Sequence, residues 1–287
     1  MAVVCRLSMA VVRRPVVVAV CLLAATGVPH PPVMLHATTA WAQSTAGRPN
    51  TLQLPSGVQP PADTQSPGVV QTVLATRFLD DAPAERRWVL RRGHPLNEDA
   101  HAHAGGFTYA ARGATYLIVE DTQGALMAEG QAGWAPDGIG HLHAAPSRAS
   151  NAVSAQAHAA PDPLEIWTIL LERENDARRP GAAATTAPLR GLLPGAYEAR
   201  LLLLTVQPGA AMRLRRVTGP EFVYTLDGSW ELVYLGVPFV FGAGQGYLAD
   251  PGIPHRLRNA GASPGRLLAA QLVPAGQPAA ETVLETP

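Results

Sequence analysis

The chain has 287 residues, 47% of them hydrophobic and only 15% charged, so it is long enough for two ordinary domains and too apolar to be a disordered one. Its 22 acidic residues balance 22 basic ones, all of them arginine, and no basic run or stripe marks a nucleic-acid partner.

Residues 1–42 read as an export signal. Arg6, Arg13 and Arg14 give a positive n-region, Val16 to Val28 an apolar core, and Ala40-Trp41-Ala42 a small-x-small cleavage pattern that leaves Gln43 at the mature N-terminus. The apolar core falls short of the ~20 residues that a membrane span needs, and nothing later in the chain reaches that length. The expected product is therefore exported, periplasmic or extracellular, with no stable membrane span after cleavage; an uncleaved anchor is the alternative, and Met9 is a second candidate start. Both cysteines, Cys5 and Cys21, lie inside the signal, so the mature chain needs no disulfide and has no thiol chemistry. Cleavage removes three arginines and no acids, leaving a mildly acidic protein.

Residues 43–70, rich in Ser, Thr, Gln, Gly and Pro, read as a flexible leader, and residues 174–191 (ENDARRPGAAATTAPLRG) as a linker. Between and after them lie two blocks, 71–173 and 192–280. Both read as β, from short apolar runs such as Tyr116 to Val119, Ile166 to Leu171, Arg200 to Val206 and Phe222 to Leu226, punctuated by Gly, Pro and Asp. Asp227-Gly228 marks a hairpin, because that dipeptide accepts the positive φ of a tight turn. The blocks also repeat each other. Phe107-x-Tyr109 aligns with Phe222-x-Tyr224 at an offset of 115, and Gly130-Gln131 through His141 aligns with Gly244-Gln245 through His255 at an offset of 114. Two anchors in the same order at nearly the same offset mark a duplicated domain.

The second block resembles the cupin superfamily in both of its motifs: Pro208-Gly209, Glu221 and Gly228 for the first, and Gly244, Gly252, His255 and Asn259 for the second, with Asp250 where proline is usual. The first block resembles the second motif through Gly130, Pro136, Gly138 and His141. The resemblance implies an all-β fold of two tandem jelly-roll (double-stranded β-helix) barrels. It also implies that a His-x-His pair, a Glu and a later His supply metal ligands, since residues i and i+2 of a strand share a face.

The halves depart from that pattern in opposite ways. In the second block Arg215 and Val217 stand at the His-x-His positions, leaving only Glu221 and His255. A guanidinium beside two remaining ligands disfavours a metal ion, so Arg215, Glu221 and His255, with Arg213 near them, are candidate contacts for a carboxylate or other small ligand. Internal pairing of Arg215 with Glu221 is the alternative. In the first block His101, His103 and His141 keep the imidazoles, while Gly106 stands at the acid position, one residue closer than usual. By resemblance such a three-histidine set takes a divalent transition metal, iron or manganese first. His143, two residues from His141, is placed to substitute or to support. A flexible Ala-His-Ala-His loop that binds nothing is the plain alternative.

Three functions follow: a small-molecule-binding bicupin with metal at most in its first barrel, a metal-dependent dioxygenase or isomerase acting on a small organic acid or sugar, and a structural or assembly module. The resemblance further implies a homodimer through the barrel sheets.

Overall fold

The computed structural model describes residues 66–83, 85–93, 100–119, 124–144, 164–177 and 181–284. The expected export signal and most of the expected leader lie outside these residues. Among the described residues there are eighteen strands and one short helix, α1 (Glu174–Ala177).

Two sheets enclose the first barrel. One runs β6 (Ala132–Ala135), β3 (Gly106–Arg112), β8 (Glu165–Arg173), β2 (Arg86–Arg92) and β9 (Ala182–Thr185); the other runs β5 (Ala125–Met127), β4 (Thr115–Val119) and β7 (His141–Ala144). The second barrel has β1 (Val69–Leu79), β10 (Tyr197–Val206), β17 (Gly265–Pro274), β12 (Glu221–Asp227) and β15 (Gly246–Ala249) in one sheet. Opposite lie β14 (Val237–Gly242), β13 (Ser229–Tyr234), β16 (His255–Asn259), β11 (Arg215–Val217) and β18 (Ala280–Thr282). Every paired ladder is antiparallel, as expected of two jelly-roll barrels.

The alternation of strand side chains builds two kinds of core. On β3, Phe107 and Tyr109 point out of the first barrel and join Trp88, Trp134 and Trp167. This layer meets Tyr197, Leu201, Phe222, Tyr224 and Leu268 of the second barrel, and Trp167 and Tyr224 pack edge to face at 5.9 Å across the boundary. Burying each of these side chains stabilises the fold by roughly 1.5–3 kcal/mol, so the β6-β3-β8-β2-β9 and β1-β10-β17-β12-β15 sheets are fastened to each other. Among the described residues the second barrel is filled by Leu202, Leu204, Val206, Val223, Trp230 and Leu257, whereas in the first Ala110, Leu117, Val119 and Met127 form a smaller cluster, with Val89, Ile166 and Leu170 also buried.

Two strands lie elsewhere than the sequence boundaries place them. β1 begins at Val69, inside the expected leader, and hydrogen-bonds along β10 of the second barrel, from Val69 opposite Val206 to Leu79 opposite Tyr197. Val69 and Val73 pack into the core of the second barrel and Leu74, Ala75 and Leu79 into the layer between the barrels, while Val70 and Phe78 stay exposed. The expected linker is also partly built into the first barrel. Its small residues Ala182 to Thr185 pair with β2, the Thr186 hydroxyl accepts from the Trp88 amide at 3.1 Å, and Leu189 is buried.

Candidate metal centre and its counterpart in the second barrel

The two barrels hold equivalent residue pairs in one register. His101 and His141 exchange backbone hydrogen bonds of 2.9 and 2.8 Å, and Arg215 stands directly opposite His255 between β11 and β16. The Ile139 carbonyl faces Nδ1 of His141 at 3.2 Å, as the Ile253 carbonyl faces Nδ1 of His255 at 3.1 Å. The repeat read from the sequence is therefore a repeat of hydrogen bonds.

In the first barrel, His141 and His143 share the inward face of β7 and are both buried, with Leu142 turned the other way. The ligand nitrogens of His101, His141 and His143 all lie within 4.8 Å of one another. His103 adjoins this group through His141, with the two Nε2 atoms 2.9 Å apart. His103 is not on a strand; it sits in the turn ahead of β3, and its Nδ1 lies 2.7 Å from the Ala104 carbonyl. The three expected histidines lie side by side, but the mutually close set has His143 where His103 was expected, with His103 attached through His141.

The tautomers follow from these partners. A carbonyl only accepts, so Nδ1 carries the proton in both His103 and His141, and both Nε2 lone pairs turn toward each other at 2.9 Å. Two facing lone pairs repel unless a proton or a metal ion lies between them. Two nitrogens each ~2.1 Å from one ion in adjacent coordination positions stand ~3 Å apart. The donor set therefore fits a divalent transition metal.

Among the described residues no acid joins the group. Gly106 lies opposite Leu170, and a Cβ there would meet the Ile169 oxygen at 2.5 Å and the Leu170 Cα at 2.7 Å. The acid position is closed by backbone, not merely vacant. Facing the same interior are Thr108 and Thr168, a cross-strand pair with buried hydroxyls that have no partner within the protein. Sequence reasoning passed over both, although their alternation with Phe107 and Tyr109 was the available signal.

The second barrel holds a carboxylate instead. Glu221 is fully buried and accepts from Arg215 Nη2 at 2.9 and 2.7 Å and from Gln271 Nε2 at 2.6 Å. Burial alone would raise its pKa; the Arg215 guanidinium, helped by His255 and the Gln271 amide, overcomes that and holds the carboxyl down at about 2. His255 Nε2 lies 3.6 Å from the same carboxylate, beyond hydrogen-bond range. Arg215, Glu221 and His255 are together as expected, but the guanidinium is spent on Glu221, so the internal pairing holds and a free anion clamp does not. Arg215 stands where a metal ion would otherwise balance Glu221. Around the pair, Arg215 Nε, Gln271 Oε1, Tyr247 Oη and His255 Nε2 are buried without a hydrogen-bond partner among the described residues, each at a cost of about 1–3 kcal/mol if left so. Burial, with the Glu221 charge adding, pushes the Tyr247 hydroxyl up, so it remains a neutral phenol. Asn259 of the motif has a structural part: its side chain ties Val206, Gly261 and Ser263 at 2.8 Å each.

The cupin domain family matches residues 202–270. Among solved structures, the polyketide cyclase RemF from Streptomyces resistomycificus is similar at 21% identity and a TM-score of 0.28, over 31% of this chain and 62% of its own, so less than two thirds of the cyclase is spanned. A Cupin 2 conserved barrel domain protein from Leptotrichia buccalis is 13% identical over 72% of this chain and 85% of its own, with a TM-score of 0.34. An oxalate decarboxylase from Lactobacillus farciminis, solved as a formate complex, is 11% identical over 83% of this chain and 90% of its own, with a TM-score of 0.46. No curated protein matches the chain. Residues 202–270 thus carry a cupin domain, and the same hydrogen-bond register recurs in the first half of the chain.

Proposed function

We propose that this chain is an exported bicupin that binds a small organic molecule, with a divalent transition metal held in its first barrel only. Supporting the metal is one observation above all: Nε2 of His103 and Nε2 of His141, both left as lone pairs, face each other at 2.9 Å beside His101 and His143. An all-imidazole set suits iron better than manganese, whose preferred donors are oxygens. A metal bound there supplies Lewis acidity and, if it is iron, a site for oxygen chemistry. Around it the protein contributes the Nδ1 contacts that orient His103 and His141, the Thr108 and Thr168 hydroxyls as hydrogen-bonding groups for a ligand, and a wall of Leu117, Val119 and Met127 that keeps water out.

The test is metal content. The purified chain, loaded with Fe(II) or Mn(II), retains about one equivalent through desalting, and the His101→Ala/His141→Ala variant retains none. Background metal in the unmodified protein would sink the reading. Turnover by the loaded protein with small organic acids or sugars would turn the binding protein into a dioxygenase or isomerase. Export rests on residues 1–42, and an N-terminus at Gln43 in secreted material is its check.

A further inference from the structure

The second barrel contains a cavity of about 330 Å³ whose lining includes Val69, Met212, Arg215, Gln271, Pro278 and Ala280. That volume is at the small end of ligand sites. Two of its lining residues each carry a buried polar atom that has no partner among the described residues: Arg215 Nε, an N–H donor, and Gln271 Oε1, an acceptor. The amide is not free to turn. Its Nε2 donates to Glu221 at 2.6 Å, an oxygen that only accepts, so Oε1 faces away from the carboxylate. Gln271 itself is 97% buried, being only 3% exposed.

We infer that the second barrel is a metal-free receptor for a small uncharged carboxamide, whose carbonyl takes the Arg215 Nε–H and whose N–H reaches the Gln271 Oε1. This rests on the reading of the chain as a small-molecule binder and names the ligand class for the barrel that lacks the histidines. The charge count supports it. Arg215 is balanced by Glu221, Arg200 by Glu198 at 2.8 Å and Glu281 by Arg216 at 2.9 Å, and Arg213, which also lines the cavity, is not free either. A carboxylate brings acceptors alone and would set one of them against the Gln271 oxygen. A cation would meet the guanidinium. An amide brings one donor and one acceptor to a site that offers one of each, and Val69, Met212, Pro278 and Ala280 receive its apolar part.

The experiment is a ligand-observed NMR titration of the purified chain with benzamide, benzoate and acetophenone. Benzamide is expected to bind saturably, at least about tenfold tighter than either of the others. Ala279→Trp, which fills the cavity from its wall, abolishes that binding; Gln271→Met, close in shape but without the acceptor, removes the preference for benzamide over acetophenone. Thermal melts of both variants establish that they fold. The inference is overturned if benzoate or acetophenone equals benzamide, if Ala279→Trp still binds, or if benzamide shows no saturation up to its solubility. Benzamide binding is expected to survive in His101→Ala/His141→Ala. Its loss there would place the ligand in the first barrel, overturning the inference and leaving the metal reading intact. Binding by a chain that holds no metal would sink only the metal reading.

Discussion

Gly106 faces Leu170 across the β3–β8 ladder where, in the other barrel, Glu221 faces Gln271. One exchange of partners decides which barrel can carry a carboxylate at this position. Because a Cβ on Gly106 would press on the backbone at Ile169 and Leu170, Gly106→Ala is expected to destabilise the chain by about 1–3 kcal/mol, measured by urea unfolding. Gly106→Glu will not tighten metal binding, since the added carboxylate has no room to enter. A stabilised Gly106→Ala protein would contradict the packing described.

Arg215→Met removes the cation from a carboxylate that has no exposed surface. A cost of about 3–5 kcal/mol is expected, and adding Glu221→Gln should restore most of it, because the loss comes from the stranded charge more than from the contact. Equilibrium unfolding of the two single variants and the double variant measures the coupling. Simple additivity of the single effects would remove the pair from the account of this core.

The same carboxyl gives a signed pH dependence. Its folded pKa of about 2 lies below the ordinary 4.5, so its contribution is fully present above pH 4.5 and is lost as pH falls toward 2. The size is on the order of 3 kcal/mol. Unfolding free energies of the unmodified chain and of Glu221→Gln, followed from pH 6 to pH 2, should converge by about that amount. Parallel curves would show that Glu221 is not held in its charged form.

His143 stands where the second barrel has Leu257, at the repeat's offset of 114. His143→Leu therefore keeps an apolar group of proven fit while deleting one nitrogen from the mutually close set. It is expected to weaken metal retention by at least about tenfold with little loss of stability, read by metal analysis after competition with a chelator. Since imidazole ligates only when neutral, retention by the unmodified chain should also fall as pH drops through the range in which histidine titrates. Undiminished retention in His143→Leu would leave His101, His103 and His141 as the set.

Much of this was legible in the residues because strands repeat with a period of two. The runs at Tyr116–Val119 and Ile166–Leu171 are β4 and β8, and Gly228 takes the positive φ of 94° that the Asp-Gly hairpin requires. The offset of 114 became a shared register because pairing opposite His141 and His255 is set by the same turns. What stayed hidden depends on partners distant in sequence. Nothing local says that Leu170 closes the space beside Gly106, that Gln271 fixes its amide on Glu221, or that His103 reaches His141 from a turn and not a strand. Composition also misled: Ala182 to Thr185 look like linker residues, yet small side chains lie well along a sheet edge.

β1 runs with the second barrel although the residues that follow it build the first. The earliest described strand to leave a ribosome thus has its partner, Tyr197 to Val206, far downstream, and closes its sheet only after the first barrel has been made. Order of synthesis and order of assembly are opposed in this chain. Neither half can be cut away as a self-sufficient module: a fragment starting after residue 191 would leave the β10 edge open, and one ending before it would leave an apolar strand with no sheet to join.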